Sequence, residues 1–357
     1  MRVSHFEHFK PFCPVCSTAE RRSCLTLQPG ATADGHVLDG WMNCRNPGCL
    51  CEFPIIDGVP ILVPDPATYI NSQYQSLIRR TDLPVTLDDA MIECQGSGAW
   101  DDAIRQHING SAWDHWGEFD PLESSAEKPG MIASIVKHAI SIHRSARMHS
   151  VIDVGCALGR STFELARSSS GLVLGVDIHA GMIKRAAQVL RTGRLSYQRR
   201  SCGMLYDRRE FNVPVSDCAD RVDFWIMNAA HPCIDNQSVD CVNMLNVIDC
   251  TPSPLDLLRS SANLVAAGGV MIIATPFDWS PTVTQPHAWI GGHSPRGYFQ
   301  GKSDQILKSI LTPGAHQVSI DGFSVVAESH AVPWQVRIHD RAIMKYTLYM
   351  VIARRTG

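Results

Sequence analysis

Val151-Ile152-Asp153-Val154-Gly155-Cys156-Ala157-Leu158-Gly159-Arg160 decides the fold of this chain. An apolar β-type run over 150–154 stops at one glycine, and a helical pattern over about 160–168 follows the second. The alternation continues downstream. Residues 172–176 form the next apolar run, 180–191 a helix, 222–227 a third strand and 239–245 a fourth. A helix over 253–266 reaches Gly268-Gly269, which breaks the chain before a fifth strand at 270–274. Near-continuous apolar strands alternating with helices predict a parallel sheet buried on both faces. Runs at 324–328 and 346–353 supply an antiparallel edge pair. The expected fold class is α/β, a doubly wound Rossmann-like sheet.

In such a sheet, ligands bind outside the carboxyl ends of the strands. Gly155 and Gly159 let backbone approach a ligand closely, and the following helix N-terminus offers free N–H groups. Asp177 ends the second strand, 22 residues after Gly155, where an acid meets ribose hydroxyls. A nicotinamide fingerprint spells G-x-G-x-x-G, whereas here three residues beginning with Cys156 separate the two glycines. The D-x-G-x-x-x-G spelling from Asp153 to Gly159 instead resembles the first motif of class I S-adenosylmethionine-dependent methyltransferases. The resemblance implies a class I methyltransferase sheet that holds S-adenosylmethionine with Asp153, Gly155, Cys156, Gly159 and Asp177. It also implies Asn228 and Ala229 after the third strand, where that family faces adenine, and Asn246 after the fourth. A sheet without ligand, or one holding another nucleotide, is the alternative. Such a site must hold the acceptor in line with the S–CH₃ bond and exclude water. It also offers a place for a proton acceptor.

Thirteen cysteines is an odd and high count, and six of them fall at residues 13–51. Cys13-Pro14-Val15-Cys16 is a C-x-x-C knuckle, and Cys44 with Cys49 forms a looser second one. Two knuckles a hairpin apart frame a tetrahedral structural Zn²⁺ site. Four sulfur ligands leave no open position for catalysis, so the expected role is stability. Unligated buried thiols are the plain alternative. The segment Phe53-Pro54-Ile55-Ile56-Asp57-Gly58-Val59-Pro60-Ile61-Leu62 resembles the end of the small zinc-binding activators of transfer-RNA methyltransferases. The resemblance selects Cys49 over its neighbour Cys51 as the fourth ligand, but the second knuckle is C-x₄-C where C-x-x-C is usual, which leaves Cys51 as the alternative ligand. The expected domains are a zinc ribbon at 1–66, a helical linker or lid at 67–145, and the methyltransferase domain at 146–357. Val63-Pro64-Asp65-Pro66 reads as linker, not helix. A helix is expected over 131–147.

The acceptor should sit among the loops after strands four and five. Asn246-Val247-Ile248-Asp249, Thr275-Pro276-Phe277-Asp278-Trp279 and Trp289-Ile290-Gly291-Gly292-His293 lie there. These segments resemble the methyltransferase domain of ovothiol-biosynthesis proteins, the 4-mercaptohistidine N-methyltransferases. The likeness runs from about 151 to 292 and departs at Phe277-Asp278, where Tyr-Thr is usual. It implies a small polar acceptor, an imidazole or another ring nitrogen. Trp279 and Trp289 would stack on a flat ring, beside Phe277. Asn246, Asp249 and Asp278 would fix its polar groups, and Asp249, Asp278 or His293 would take a proton. Trp113, His115 and Trp116 are candidates for a lid over the cofactor, with Trp113 and His115 also reaching the acceptor; interdomain packing is the plainer reading. Each has a plainer reading: the tryptophans as packing, His293 as a surface histidine, Asp249 as a helix cap.

Hydrophobic residues make up 45% of the chain and charged residues 19%, ample for a large core, and the net charge is −3. No global basic field draws it to nucleic acid. The arginine pairs at 79–80, 199–200, 208–209 and 354–355 read as solvated surface. An RNA-base methyltransferase using the ribbon for recognition is the second reading, and a non-catalytic scaffold that binds S-adenosylmethionine is the third. No run approaches the ~20 apolar residues of a membrane span, and the first ten residues lack a secretory signal pattern. The expected setting is the cytoplasm, as a monomer or homodimer acting on a small molecule in specialised metabolism.

Overall fold

The structure, a computed structural model, describes residues 1–356 except 19, 81–82, 85–86, 88–89, 92–93, 95–99 and 144–147. A short helix α1 (Val3–Phe9) opens the chain and buries His5 and Phe9. The strands β1 (Leu25–Pro29), β2 (Thr32–Ala33), β3 (His36–Val37), β4 (Gly40–Cys44), β5 (Glu52–Ile56) and β6 (Val59–Leu62) follow. Helices α2 (Pro66–Ile78), α3 (Trp100–Trp116) and α4 (Met131–His143) come next. The α/β portion comprises β7 (Ser150–Val154), α5 (Arg160–Ser168), β8 (Leu172–Asp177), α6 (Ala180–Thr192), β9 (Arg194–Cys202), β10 (Leu205–Asn212), β11 (Val222–Met227), β12 (Val239–Leu245), α7 (Pro254–Leu264) and β13 (Val265–Thr275). Helix α8 (Ser303–Ile310) and the long hairpin β14 (Phe323–His339) and β15 (Ala342–Arg355) complete it. Of the helix expected over 131–147, residues 144–147 lie outside the described set.

Among the described residues, eleven strands form one sheet in the order β1-β4-β5-β6-β11-β8-β7-β12-β13-β15-β14. Strands β11, β8, β7, β12 and β13 are parallel, and β15 and β14 run antiparallel at the edge. Read outward from β7, this is the doubly wound order with its reversal between β7 and β12, where a ligand crevice opens. The parallel strands are buried along nearly their whole length, since helices cover both faces. The N-terminal ribbon continues the same sheet. Strand β6 pairs in parallel with β11, Ile61 opposite Ile226 and Leu62 opposite Met227. Phe53, Ile55 and Leu62 share one apolar cluster with Val176, Trp225 and Met227.

Several elements differ from the sequence reading for identifiable reasons. Pro66 starts α2 at its first position, with the Asp65 carboxylate accepting the Thr68 N–H at 3.0 Å. Proline is tolerated there because its missing N–H has no helical partner to lose. Helix α7 ends at Leu264, and β13 runs through Gly268-Gly269 instead of starting after them. Gly268 takes φ 78° in a bulge that shifts the register between Val239 and Cys241. The hairpin β9–β10 escaped notice because it is polar and rich in arginine. Its apolar contact is Tyr197 edge-on to Phe211, and Arg194 reaches Glu210. Nor is Arg199 solvated surface. It is buried, 3.0 Å from Asp340. Hairpin β14–β15 extends well past the expected 324–328 and 346–353, and its outer half leans on α3 and α4. Among the described residues no helix is long and apolar enough to cross a membrane.

Candidate functional site

The turn leaving β7 is held by its neighbour strand. The N–H groups of Gly155 and Cys156 both donate to the Val176 carbonyl, at 2.8 and 3.2 Å. Gly155 sits at φ 69°, and a Cβ there would lie 2.8 Å from Val247. Gly159 sits at φ 80°, and its Cβ would meet the Phe224 ring at 2.5 Å. Both positions therefore demand glycine on conformation and on space. The Asp177 carboxylate accepts the Ala157 N–H at 2.9 Å and the His179 N–H at 2.8 Å. It is thus fixed at the end of β8, with the lone pairs left over open to a ligand.

Gly155, Ala157 and Asp177 border one cavity of about 770 Å³ at the carboxyl edge of the parallel strands. Gly155, Asp177, Asn228, Ala229 and Asn246 line it, each from a strand end. Asn228 is shaped by its own turn, its Oδ1 accepting the Ala230 N–H at 3.0 Å. Asn246 sits at φ 55°, and both its side-chain oxygen and nitrogen are buried without a partner among the described residues. An orphaned amide on a cavity wall is what a bound polar ligand would satisfy. The residues therefore fit S-adenosylmethionine. Asp153, Cys156 and Gly159 stand behind the wall. Asp153 accepts from Ser161 and Thr162 at 2.6 Å each and from Asn243 at 2.7 Å, so it ties β7 to α5 and β12. Burial pushes its carboxyl up to about 6, against those three hydrogen bonds. Burial raises the Cys156 thiol further above the ordinary range, with Asp177 and Asp153 adding to it, so it stays a protonated packing group.

The other expected positions separate. His115 lines the cavity, accepts the Arg160 N–H at 3.2 Å, and is driven down to about 3 by burial and by Arg160, hence neutral. Trp113 is fully buried, its indole N–H on Glu123 at 2.9 Å, and does not line the cavity. Trp279 and Trp289 stack on each other at 6.0 Å, with Phe277 beside Trp279 at 6.3 Å, and all three lie off the cavity wall. His293 is exposed, its Nδ1 3.3 Å from the Gly291 carbonyl, also away from the wall. Asp249 is buried behind the wall and accepts the Asp278 N–H at 2.7 Å; burial raises its carboxyl pKa. Asp278 is exposed and accepts the Tyr346 hydroxyl at 3.0 Å.

The cavity has walls the sequence reading left out. Trp334 and Tyr346 face each other across the β14–β15 ladder, ring centroids 4.7 Å apart and 24° from parallel. The Trp334 indole N–H donates to Asp114 at 2.7 Å. His107 and His179 approach at 5.7 Å near Asp177, and burial lowers the pKa of both. Alternation through Pro333-Trp334-Gln335-Val336-Arg337 around a turn at Asp340-Arg341 was the available signal for the hairpin.

In the ribbon, the thiols of Cys13, Cys16, Cys44 and Cys49 all lie within 4.8 Å of one another. Cys13 Sγ is 3.8 Å from Cys49 Sγ, and Cys16 Sγ is 3.5 Å from Cys44 Sγ. A tetrahedral zinc thiolate site with bonds of about 2.3 Å places its sulfurs about 3.8 Å apart, so the four residues fit that ion. Cys51 lies outside this cluster.

Strand order and glycine turn together define an α/β sheet of the class I methyltransferase type. Residues 146–289 match the family described as "Methyltransferase domain". The ubiquinone biosynthesis O-methyltransferase of Neisseria meningitidis serogroup C (strain 053442) is 28% identical over 163 residues, which are 46% of this chain and 56% of that protein. The chain thus spans a little over half the length of that curated relative. Among solved structures, magnesium protoporphyrin IX methyltransferase from Synechocystis PCC 6803 with bound SAM is 17% identical. The match covers 73% of this chain and 100% of that one at a TM-score of 0.40. A SAM-dependent methyltransferase from Methanosarcina mazei is 16% identical over 60% of this chain and 97% of its own, at 0.38.

Proposed function

We propose that this chain transfers the methyl group of S-adenosylmethionine to a nitrogen of a small polar acceptor, with imidazoles and other flat heterocycles as the first candidates. The carrying observation is the convergence of Gly155, Asp177, Asn228 and Asn246 on one cavity at the carboxyl edge of the sheet. When bound, the cofactor supplies a methyl group already activated by the positive sulfur. Asp177 would grip the ribose, Asn228 and Ala229 would border the adenine, and Asn246 would satisfy its orphaned amide on the ligand. The turn at Gly155 lets the backbone come close, and the helix–hairpin wall over the cavity excludes water. Asp249 and Asp278 act as positioning residues in this reading, since Asp278 accepts the Tyr346 hydroxyl and Asp249 accepts the Asp278 N–H.

The four cysteines would hold a structural zinc ion that supports the ribbon. None of the thirteen cysteines is paired in a disulfide, and a reducing compartment such as the cytoplasm is the setting we propose.

The test is to incubate purified protein with methyl-labelled cofactor and a panel of imidazoles, amino acids, phenols and total RNA. Label recovered as the N-methyl of a small heterocycle supports the reading. Label recovered only in RNA overturns the acceptor class. A protein that binds neither S-adenosylmethionine nor S-adenosylhomocysteine by calorimetry is not an enzyme of this kind.

A further inference from the structure

We propose that Asp114 receives the acceptor's N–H group and then its proton, with Trp334 and Tyr346 as the aromatic wall of the acceptor subsite. This rests on the methyl-transfer reading above and adds to it the group that binds and deprotonates the acceptor.

Asp114 is 2% exposed and borders the cavity. Its Oδ2 accepts the Trp334 indole N–H at 2.7 Å, while its Oδ1 makes no well-formed hydrogen bond among the described residues, with only the Met131 and Ile132 N–H groups close to the carboxyl. A buried carboxyl oxygen without a donor is costly, and a ligand N–H at the cavity would remove that cost. The stacked rings of Trp334 and Tyr346 border the same cavity. Aromatic faces of this kind favour a flat ring. Arg337, also on the wall, is already engaged by Glu123 at 3.1 Å and by Asp340 at 2.9 Å, so it does not favour an anionic acceptor.

An azole meets these demands because its two nitrogens do different work. The unprotonated ring nitrogen forms the N–C bond while the C–S bond breaks, its electron pair leaving on sulfur. The step runs through the ionised form of Asp114, a minor fraction at pH 7 that grows as pH approaches 8: the ring becomes cationic, and the N–H at its other nitrogen gives its proton to that carboxylate. Atoms and charge balance: the sulfonium charge ends as a proton on the carboxyl. Burial pushes this carboxyl up to about 8, with Glu118 adding to it, while Trp334 and the backbone N–H groups of Met131 and Ile132 pull it down. It therefore holds a proton better than an exposed carboxylate does. The other titratable groups lining the cavity with it are His107, His115, Asp177, His179, Cys250, Arg337 and Tyr346.

The test uses benzimidazole, 1-methylbenzimidazole and phenol, each titrated by calorimetry into the full chain saturated with S-adenosylhomocysteine. The second probe lacks the N–H. The wild type should bind benzimidazole at least tenfold more tightly, and Asp114→Asn should erase most of that preference while holding S-adenosylhomocysteine as before. Equal binding of the two probes, or binding of neither while S-adenosylhomocysteine binds, overturns the assignment and leaves the methyltransferase reading standing. A preference for phenol over both overturns the azole. Failure of S-adenosylhomocysteine itself to bind removes both readings. Should Asp114→Asn not fold, the wild-type probe pair decides alone.

Discussion

Tyr346 gives its hydroxyl hydrogen to Asp278 across 3.0 Å, and so joins the last strand of the sheet to the turn that leaves its fifth parallel strand. Asp249 holds that turn from beneath by accepting the Asp278 N–H. Replacing Asp249 with alanine leaves a part-buried backbone donor unpaired, at about 1–3 kcal/mol. Urea denaturation should show that loss of stability. Affinity for S-adenosylhomocysteine should fall less than about threefold. A variant of unchanged stability that loses all turnover would return Asp249 to direct chemistry.

Asp177 is already oriented by two backbone N–H groups. Asp177→Asn exchanges a charged acceptor for a neutral amide, one side of which repels those donors. A hydrogen bond to a charged group contributes about 1.5–3 kcal/mol, so calorimetry should record a loss of about 10- to 100-fold in cofactor affinity. Undiminished affinity would move the ribose site elsewhere.

Gly159→Ala should be severe, because the new Cβ would sit 2.5 Å from Phe224 at φ 80°. Overpacking and positive-φ strain each cost about 1–3 kcal/mol. The expected result is a marked drop in thermal midpoint, with cofactor binding lost or strongly weakened. A stable variant with normal affinity would contradict the rigidity assigned to this turn.

The carboxyl of Asp114 makes stability depend on pH in an unusual direction. Its folded pKa is raised to about 8, above the ordinary carboxylate value. The folded state therefore keeps a proton that the unfolded chain has released. Stability from this group is full below about pH 4, falls by up to about 1.4 kcal/mol per pH unit as pH rises, and levels off above about 8. Asp114→Asn should lack that decline, so the gap between the two proteins should widen from pH 5 to 8. Asp153, raised to about 6, contributes a similar decline at lower pH in both. Parallel stability curves for the two proteins would refute the proposed ionisation.

Removing the proposed zinc should reach beyond the ribbon, because Phe53 and Ile55 pack in the same cluster as Trp225 and Met227. Metal analysis should find one zinc per chain. Cys16→Ser or a strong chelator should lower the thermal midpoint by at least about 6 °C, taking a loss of about 3 kcal/mol at about 2 °C for each. No metal and no shift would leave the cysteines as packing groups.

What could be read from the sequence follows the physics of burial. Strands β7, β8, β11 and β12 are covered on both faces, so unbroken apolar runs reveal them. The glycine turn and Asp177 stand out because backbone conformation and charge restrict those positions. Strands β9, β10, β14 and β15 are half exposed and carry arginines, and their two-residue alternation is diluted by bulges. That is why Trp334 falls outside the expected edge pair and Tyr346, at the start of its second strand, carries no sign of lining the cavity. Trp279 and Trp289 illustrate the converse. Two aromatics near a strand end suggest a ligand, but here both lie off the cavity wall.

The register of Ile61 with Ile226 also bears on how the ribbon can be lost or kept. A separate subunit docked on that edge would come off as the protein is diluted, and its supply would have to match that of the sheet. Here both halves of the pairing belong to one polypeptide, so occupancy is independent of concentration and the stoichiometry is fixed at one to one. At Ile226 and Met227 the outer flank of β11, which would otherwise present bare backbone groups to other molecules, is closed within the same molecule.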